Sequence, residues 1–583
     1  MSPAVLRRLF AEYRYEWPLA AVTLFIAIIT AAAELLPHNY IRMAINYFQE
    51  WAGIGELNAW PFAILILLTY LIHNLLRFAQ SISRMELGTR ISNRLRSRIY
   101  AAVQRHSLTF HKQTTSGDLI SRSTADVQRM ARFIYFGVFG TADMIIFVLG
   151  AVVMFFWINW RLAVVALVPL PFAVFLTIRL GMKVRKIWRE SRDAYGDVTT
   201  TIQENIAGAR VVRAFAQESR EEDKFGDRSQ TFVTKVIDAI EYWVVRMVGP
   251  NFVFGLVMPL AVLYGGLQAL GGEIQVGDIF FYFSVMQPIQ RRLRTVMRLV
   301  DTYQRAAAAS ERVFEVLDEE PSIQSKPGAE PLPPSGEGSG AAVTFEHVSF
   351  GYEPEKQVLH EISFDVRPGE TTAIVGHTGS GKSTLIGLIP RFHDPDEGRV
   401  LINGTDVRDI QLEELRQDVG IIFQDTFLFS APVRENIAYG KPDASLDEIQ
   451  AAARAAQADE FILGLEDGYD TVIGERGETL SGGQAQRVAI ARAVLLDPSV
   501  LIMDDATAAV DSETERMIRE TMKQVAEGRT NFIIAHRVSS VAHADQILVL
   551  EEGRIAERGT HAELYERDGI YRRMCDQQFE GVT

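Results

Sequence analysis

The chain has 583 residues, more than one domain usually holds. Apolar residues make up 48% of it and charged residues 23%, an average that indicates two unlike halves. The net charge of −14 argues against a nucleic-acid partner, because the phosphate backbone attracts basic surface. The single cysteine, Cys575, excludes a disulfide framework and a cysteine-rich metal site.

The two halves differ in hydrophobic pattern. Residues 1–320 carry long apolar runs, whereas residues 343–583 alternate short apolar strands with charged helical stretches and Gly-rich turns. Residues 321–342 have the Pro, Gly and Ser content of a linker. The sequence therefore predicts two domains, 1–320 and 343–583, joined by this linker.

The first domain is predicted to cross a membrane. Five uncharged runs approach the ~20 residues that span hydrocarbon; they are residues 17–33, 57–76, 144–160, 162–178 and 247–272. The first run could be a signal peptide. We interpret it as a retained anchor, because it is longer than the apolar region of a signal peptide and because further spans follow. A sixth segment, 276–300, is uncharged only over 279–290, so hydropathy alone allows a span or an interfacial helix. The second domain is expected on the same side of the membrane as the Arg-rich loops. Only an even number of spans puts it there, which favours a sixth crossing.

The distribution of basic residues predicts the orientation. Arg and Lys concentrate in loops 77–132 and 181–246, whereas the opposite loops carry one Arg between them. By the positive-inside rule, both termini and the second domain face the cytoplasm, with the spans in the plasma (inner) membrane. The two basic loops have a helical pattern, typical either of spans extended into the cytoplasm or of solvated charged helices. The predicted fold is an all-α six-helix transmembrane domain with long cytoplasmic extensions, followed by an α/β domain.

A phosphate-binding loop opens the second domain. The sequence GHTGSGKS at 376–383 follows the strand-like TTAIV and precedes the helix-like STLIGLIP. Its glycines let backbone N–H groups approach phosphates, Lys382 reaches the β- and γ-phosphates, and the Ser383 hydroxyl binds Mg²⁺. Asp504, which ends the apolar strand 500–503, is the expected magnesium acid. The second domain is therefore predicted to be an α/β P-loop ATPase domain. The predicted ATP-binding residues of its loop are Gly376, His377, Thr378, Gly379, Ser380, Gly381, Lys382, Ser383 and Thr384.

Over essentially its whole length the chain resembles a half-transporter of the ATP-binding cassette exporters. The most specific element is LSGGQ at 480–484, which lies between the phosphate loop and LIMDD. The resemblance implies that Tyr352 stacks on adenine, that Gln424 senses magnesium, and that His536 contacts the γ-phosphate. It also implies that two cassettes pack head to tail around ATP, so that one cassette reaches the other's nucleotide through Leu480, Ser481, Gly482, Gly483, Gln484 and Asp511.

Asp505 departs from the family pattern, which usually places Glu after the residue corresponding to Asp504. Asp is one methylene shorter, and misplacing the carboxylate by ~1 Å can cost ~10²-fold in rate. The loop TAAVD at 507–511 also replaces the more usual TSALD, whereas LSGGQ is intact. These departures predict a heterodimer resembling the asymmetric bacterial multidrug-type exporters, with a degenerate site here and a competent one on a second half-transporter. A slow homodimeric lipid flippase and an ATP-gated channel or regulatory subunit remain open.

The membrane half resembles the same family less specifically. Residues 109–127 are similar to a first coupling loop, and residues 205–219 are similar to the segment that leads to a second one. The resemblance implies that short helices there dock in cassette grooves near Gln424.

Ionisable residues in or beside the spans are the candidate substrate-binding residues. The acids could bind substrate, cap a helix or pair with an Arg, and the arginines could hold an anionic lipid headgroup or a peptide carboxylate, or only anchor the span. The sequence predicts export or flipping of hydrophobic or amphipathic substrates, among which lipids and peptides are candidates. The candidates are Glu34, Asp143, Arg291, Arg292, Arg294 and Arg298.

Overall fold

The computed structural model describes residues 3–51, 58–333, 340–353, 356–474, 480–504, 512–535 and 541–580. These form two compact units: Met1–Gln104 with Ser116–Glu319, and Arg105–Thr115 with Glu320–Thr583. The predicted site residues Asp505, Asp511 and His536 lie outside the described residues.

The described part of the first unit is helical. A 3₁₀ turn spans Glu12–Glu16, and π-helical segments span Arg122–Asp126 and Phe133–Val138. The helices of this half of the chain, of which α4 belongs to the second unit, are α1 (Pro3–Ala11), α2 (Trp17–Trp51), α3 (Trp60–Arg105), α4 (Leu108–Gln113), α5 (Ser116–Ser121), α6 (Val127–Arg132), α7 (Phe139–Ile158), α8 (Trp160–Leu167), α9 (Pro169–Ala207), α10 (Ala209–Ala214), α11 (Glu218–Leu270), α12 (Val276–Arg294) and α13 (Val296–Asp318).

Five helical stretches of the described residues are long and apolar enough to cross a membrane. They are Arg7–Glu50, Trp60–Arg105, Ser116–Ile158, Trp160–Ala207 and Glu218–Leu270. Each contains all or nearly all of one uncharged run, so the first five predicted spans are confirmed by length and composition. The sixth crossing, which would use α12, stays a prediction.

An aromatic cluster packs the α7–α8 corner against α12. The rings of Phe155 and Tyr282 stack with centroids 4.4 Å apart, and both side chains are buried. The Tyr282 hydroxyl lies 2.5 Å from the Phe155 carbonyl oxygen and 2.7 Å from that of Asn159. The Asn159 side chain caps α8 by accepting from the Leu162 N–H at 3.0 Å. Asn159 thus satisfies an N–H at the start of α8, and the Tyr282 hydroxyl ties the corner to α12.

The second unit contains two sheets. An antiparallel sheet has the order β2-β1-β4-β5, and a six-stranded sheet has the order β10-β9-β3-β8-β7-β6, parallel except for β10. The strands are β1 (Val343–Glu353), β2 (Lys356–Val366), β3 (Thr371–Gly376), β4 (Glu397–Ile402), β5 (Thr405–Asp406), β6 (Val419–Ile422), β7 (Val500–Asp504), β8 (Thr530–Ile534), β9 (Gln546–Glu551) and β10 (Arg554–Gly559). The helices are α14 (Lys382–Gly387), α15 (Leu412–Asp418), α16 (Val433–Ile437), α17 (Leu446–Ala455), α18 (Asp459–Leu463), α19 (Gly482–Leu496), α20 (Ser512–Ala526), α21 (His561–Glu566) and α22 (Ile570–Glu580).

Strand β7 is buried on both faces. Val500 and Ile502 belong to the core shared with the antiparallel sheet, whereas Leu501 and Met503 belong to the core built with the helices around α19. A parallel strand covered on both sides reads as a continuous apolar run, as this one does. The first polar residue after that run, Asp504, is therefore delivered to the carboxyl edge of the sheet, where ligands of open α/β sheets bind.

Candidate functional site: the ATP cassette and the membrane cavity

The phosphate loop connects β3 to α14. Gly376 ends β3 so close to its neighbour β9 that a Cβ there would lie 2.3 Å from the Leu550 carbonyl oxygen. Gly381 caps α14 with φ +101°, a left-handed conformation that glycine adopts without strain. The loop therefore bends tightly enough for its backbone N–H groups to surround a phosphate.

Two side chains of this loop fit a nucleotide phosphate. Lys382 is buried, and its Nζ donates to the carbonyl oxygens of Gly376 and His377, at 2.9 Å each. The Ser380 hydroxyl is buried and has no hydrogen-bond partner in the described part of the chain. A buried unpaired hydroxyl is costly, so a phosphate oxygen would satisfy it. Between them, the two side chains supply the charge and the donor that the loop needs.

The magnesium candidates lie along the same sheet edge. β3 and β7 flank β8 in the parallel sheet, which puts the ends of β3 and β7 about 10 Å apart at normal strand spacing. Ser383 follows β3, Asp504 ends β7, and Gln424 lies exposed just beyond β6. These are oxygen ligands of the kind that Mg²⁺ prefers.

The LSGGQ segment forms an ordered helix start. Ser481 caps α19: its hydroxyl accepts from the Gln484 N–H at 3.3 Å, and the Gln484 side chain accepts from the Ser481 N–H at 2.9 Å. Gly483 is buried, and Ser481 and Gly482 are exposed. Leu480 is partly buried against the helical core around α19. The exposed start of this 15-residue helix presents backbone N–H groups and a positive dipole end.

Tyr352, the candidate adenine-stacking residue, has an unforeseen neighbour in α4. Lys112 Nζ lies 4.3 Å from the centroid of the Tyr352 ring. The Tyr352 hydroxyl lies 3.1 Å from the Thr384 hydroxyl of the phosphate loop. The buried His393 contacts the Tyr352 ring edge-on at 5.3 Å and lies 3.3 Å from the Thr109 hydroxyl through Nδ1. These contacts join α4 to the Tyr352 end of the cassette, and Gln424 is not among them.

Three of the six candidate substrate residues and one further arginine form an ion network in the first unit. The Arg292 guanidinium donates to both oxygens of Glu34, at 3.0 and 2.5 Å, and lies 3.8 Å from the centroid of the Phe147 ring. Asp143 lies between two cations, 3.6 Å from Arg292 and 3.7 Å from Arg84. Of the alternatives for Glu34 and Asp143, pairing with arginine is therefore the one that the structure shows. The network borders a cavity of about 510 Å³.

The remaining arginine candidates are placed differently. Arg291 borders a second cavity of about 370 Å³ beside Phe280, Phe283 and Glu34. Arg298 borders a third, also of about 370 Å³, beside Trp188 and Trp243. Arg294 ends α12. The structure therefore divides a cluster that is compact in sequence.

Sequence reasoning missed four cavity-lining residues of α3. His73, Arg77, Gln80 and Arg84 all line the 510 Å³ cavity. Their separations of four, three and four residues put them on one face of a helix. This spacing is visible in the sequence, but Arg77, Gln80 and Arg84 lie in the basic loop 77–132, whose arginines also indicate the orientation of the spans.

Two family models match the chain. One, described as ABC transporter, matches residues 359–508, and the other, described as ABC transporter transmembrane region, matches residues 19–293. The first contains the phosphate loop and LSGGQ, and the second contains four of the five spans and all but the start of the first.

Individual proteins are similar over nearly the whole chain. The "ATP-dependent lipid A-core flippase" of Syntrophus aciditrophicus (strain SB) is 35% identical over 576 residues, covering 99% of this chain and 95% of that protein. The "Uncharacterized ABC transporter ATP-binding protein YknU" of Bacillus subtilis (strain 168) is 33% identical, covering 99% of this chain and 97% of that protein. The solved structure of a bacterial Atm1-family ABC exporter with ATP bound superposes with a TM-score of 0.78, at 31% identity and 99% coverage of both chains.

The chain therefore belongs to the ABC transporters. It is a half-transporter of the exporter type, with one membrane region and one ATP-binding cassette, and it is an ATPase coupled to transport. The similarity confirms the predicted pairing of a helical membrane domain with an α/β ATPase domain. ABC exporters act as dimers, so a second half-transporter is required.

Proposed function

We propose that the protein exports or flips amphipathic compounds across the inner membrane as one half of a heterodimer. The observation that carries the transport part is the cavity bordered by Glu34, Asp143 and Arg292 next to apolar spans. Ionisable groups are costly beside hydrocarbon and usually have a functional reason to be there. A polar cavity among apolar helices suits a molecule that has both a polar and an apolar part.

The orientation and metal binding follow from the same proposal. With α12 as the sixth crossing, both termini and the cassette lie in the cytoplasm, beside the Arg-rich loops. Ser383, Gln424 and Asp504 would hold Mg²⁺, which when bound neutralises charge on the transferred phosphoryl group. His536 and Asp511 are proposed to contact nucleotide, the second of them across the dimer.

The heterodimer part depends on Asp505. Its shorter side chain makes it a poor substitute for the catalytic Glu at the site built on this chain's phosphate loop. The start of α19 nevertheless has a complete capping box, and the LSGGQ sequence is intact. A chain that keeps a good LSGGQ beside a weak carboxylate is best explained by a partner that supplies the competent carboxylate.

Two exposed apolar surfaces support pairing. In the first unit, the tip around α10 exposes Ile206 and Phe215, each to 73%. In the second unit, Phe423, Phe427 and Tyr439 are exposed near Gln424. Such aromatic and aliphatic side chains are typical anchors of protein interfaces. We propose that each surface contacts the complementary surface of the second half-transporter.

The decisive experiment is to isolate the native complex and identify what co-purifies. We expect a second half-transporter, an Asp505→Ala variant that keeps most of the ATPase activity, and loss of that activity when the partner's catalytic carboxylate is removed. Asp505→Glu should raise turnover, because it restores the missing methylene. Recovery of this chain alone with brisk ATPase activity, or loss of hydrolysis in Asp505→Ala, would contradict the heterodimer.

A homodimeric lipid flippase is the second candidate. It is favoured by the similarity to proteins named lipid A-core flippases, one of them 35% identical over 99% of this chain. It predicts that the purified chain, reconstituted alone, hydrolyses ATP and moves lipid between leaflets. The heterodimer predicts that both activities require the second subunit.

A further inference from the structure

Most of the charged side chains that line the 510 Å³ cavity of the first unit pair with one another. Its lining includes three arginines and two carboxylates, so these five groups carry a net formal charge of +1. The two carboxylates engage two of the arginines: Glu34 holds Arg292, and Asp143 lies between Arg292 and Arg84. Arg77 makes no ion pair or hydrogen bond with any described residue. One positive charge therefore remains available.

Buried polar atoms without partners surround that charge. His73 and Gln80 are 7% and 3% exposed, yet His73 Nδ1 and Gln80 Nε2 have no hydrogen-bond partner among the described residues. The buried Arg84 Nε also has no hydrogen-bond partner among these residues. Together with Arg77, these groups form one face of α3, and all of them line the cavity. Leaving several donors buried and unpaired is costly, which indicates that an acceptor belongs there.

The depth and the apolar part of the cavity match a membrane amphiphile. The polar face of α3 begins at His73, near the end of the uncharged run 57–76, and continues beyond that run, which is the level of lipid headgroups. Met85, Tyr135 and Phe136 supply the apolar part of the lining. Tyr135 reaches the cavity by packing against Gly88, where a Cβ would lie 2.6 Å from the ring.

We propose that this cavity binds a membrane lipid whose headgroup carries a single negative charge. The headgroup accepts hydrogen bonds from Arg77, Gln80 and Arg84, and the acyl chain lies against Tyr135 and Phe136. A second negative charge is disfavoured, because it would have to displace Glu34 from Arg292 or remain unpaired beside Asp143. Glu34 is thus a specificity-determining residue. This inference names the substrate class of the proposed transporter and rests on that function.

Dioctanoyl lipids with matched chains test the headgroup preference. The probes are phosphatidylglycerol with one negative charge, phosphatidylcholine with no net charge, and phosphatidylinositol 4-phosphate with more than one, each titrated by native mass spectrometry against the purified full-length complex. We expect phosphatidylglycerol to bind at least about tenfold more tightly than phosphatidylcholine, and phosphatidylinositol 4-phosphate to bind no more tightly than phosphatidylglycerol, because an unpaired buried charge costs well over one tenfold step. Inorganic phosphate, which lacks the acyl chain, should not compete. Equal binding of the three lipids would overturn the proposal.

Two variants and a control assign the effect to the cavity. Arg77→Gln should weaken phosphatidylglycerol binding about tenfold, whereas Arg90→Gln, on the same helix but paired with Glu86 at 2.6 Å, should not change it. Glu34→Gln raises the formal charge of the cavity by one and should strengthen phosphatidylinositol 4-phosphate selectively. If that variant does not fold, Asp143→Asn makes the same change. An unaltered preference in a folded variant would contradict the charge balance.

The outcomes separate the two levels of the proposal. If phosphatidylglycerol binds as described but ATP drives the movement of neither this lipid nor another amphiphile, the proposed transport function fails and the binding site stands. If ATP-driven transport of another compound is found and phosphatidylglycerol does not bind, the site assignment fails and the transport function stands.

Discussion

His393 is buried beneath the candidate adenine-stacking Tyr352 and beside the Lys112 ammonium. Burial lowers the pKa of this histidine, and the nearby Lys112 lowers it further, while Asp394 acts weakly in the opposite direction. The imidazole is therefore kept neutral where an ordinary histidine begins to bind a proton.

This lowered pKa predicts a pH dependence of stability. The unfolded chain binds a proton at His393 below about pH 6.5, whereas the folded chain does so only at lower pH. Stability contributed by this residue is therefore present above that pH and is lost as the pH falls. Between about pH 7.5 and 5.5 the melting temperature of the wild type should fall about 1–3 °C more than that of His393→Gln. Parallel melting curves for the two proteins would contradict the assignment.

At the scale of elements, α4 lies within the membrane-domain part of the sequence but contacts Tyr352 of the cassette. It is one of the shortest helices, yet it clusters with the cassette and not with the helices on either side of it in sequence. Ser107 caps it, and Phe110 is buried. Its Lys112 faces Tyr352. A coupling role for this segment was expected from the resemblance, but contact with Tyr352 was not.

Lys112→Met tests that link, because it keeps the side chain's length and removes its charge. A cation over an aromatic ring contributes ~0.5–1 kcal/mol at an exposed site, and the ammonium would compete with adenine if adenine stacks on the Tyr352 ring as the resemblance implies. ATP affinity, measured by isothermal titration, should rise about 2–5-fold. Lys441→Met is the control, because Lys441 pairs with Glu448 at 2.7 Å instead. A fall in affinity would mean that Lys112 supports the ring and does not block it.

At the scale of the molecule, the proposed pairing gives the exposed α10 tip its role. Phe215→Asp places a charge at a side chain that is 73% exposed in the single chain and predicted to be covered in the dimer. Truncating or charging an interface aromatic typically costs ~2 kcal/mol or more, so substrate-stimulated ATPase activity should fall at least about tenfold. ATP binding should be unchanged.

Arg210→Gln, in the helix α10 that ends just before Phe215, provides the control for that variant. It alters a polar residue without removing an apolar contact and should leave the stimulated ATPase rate near that of the wild type. Wild-type stimulation in Phe215→Asp would contradict the proposed interface.

The parts that the sequence predicted are those with local signals. Uncharged runs located five spans, and the apolar run before Asp504 predicted a strand that is buried on both faces. The contacts of Arg84 and Arg292 with Asp143 join residues far apart in the chain, and no periodicity indicates such pairs. The location of α4 depends in the same way on tertiary contacts and not on its own composition.

The reciprocal hydrogen bonds between Ser481 and Gln484 have a consequence for the speed of assembly. A segment that is disordered before binding must lose conformational freedom during binding, and that loss slows and weakens association. The start of α19 is already fixed in the single chain. If this surface binds the ATP of a second half-transporter as the resemblance implies, each closing of the dimer begins from a surface that needs no rearrangement of its own.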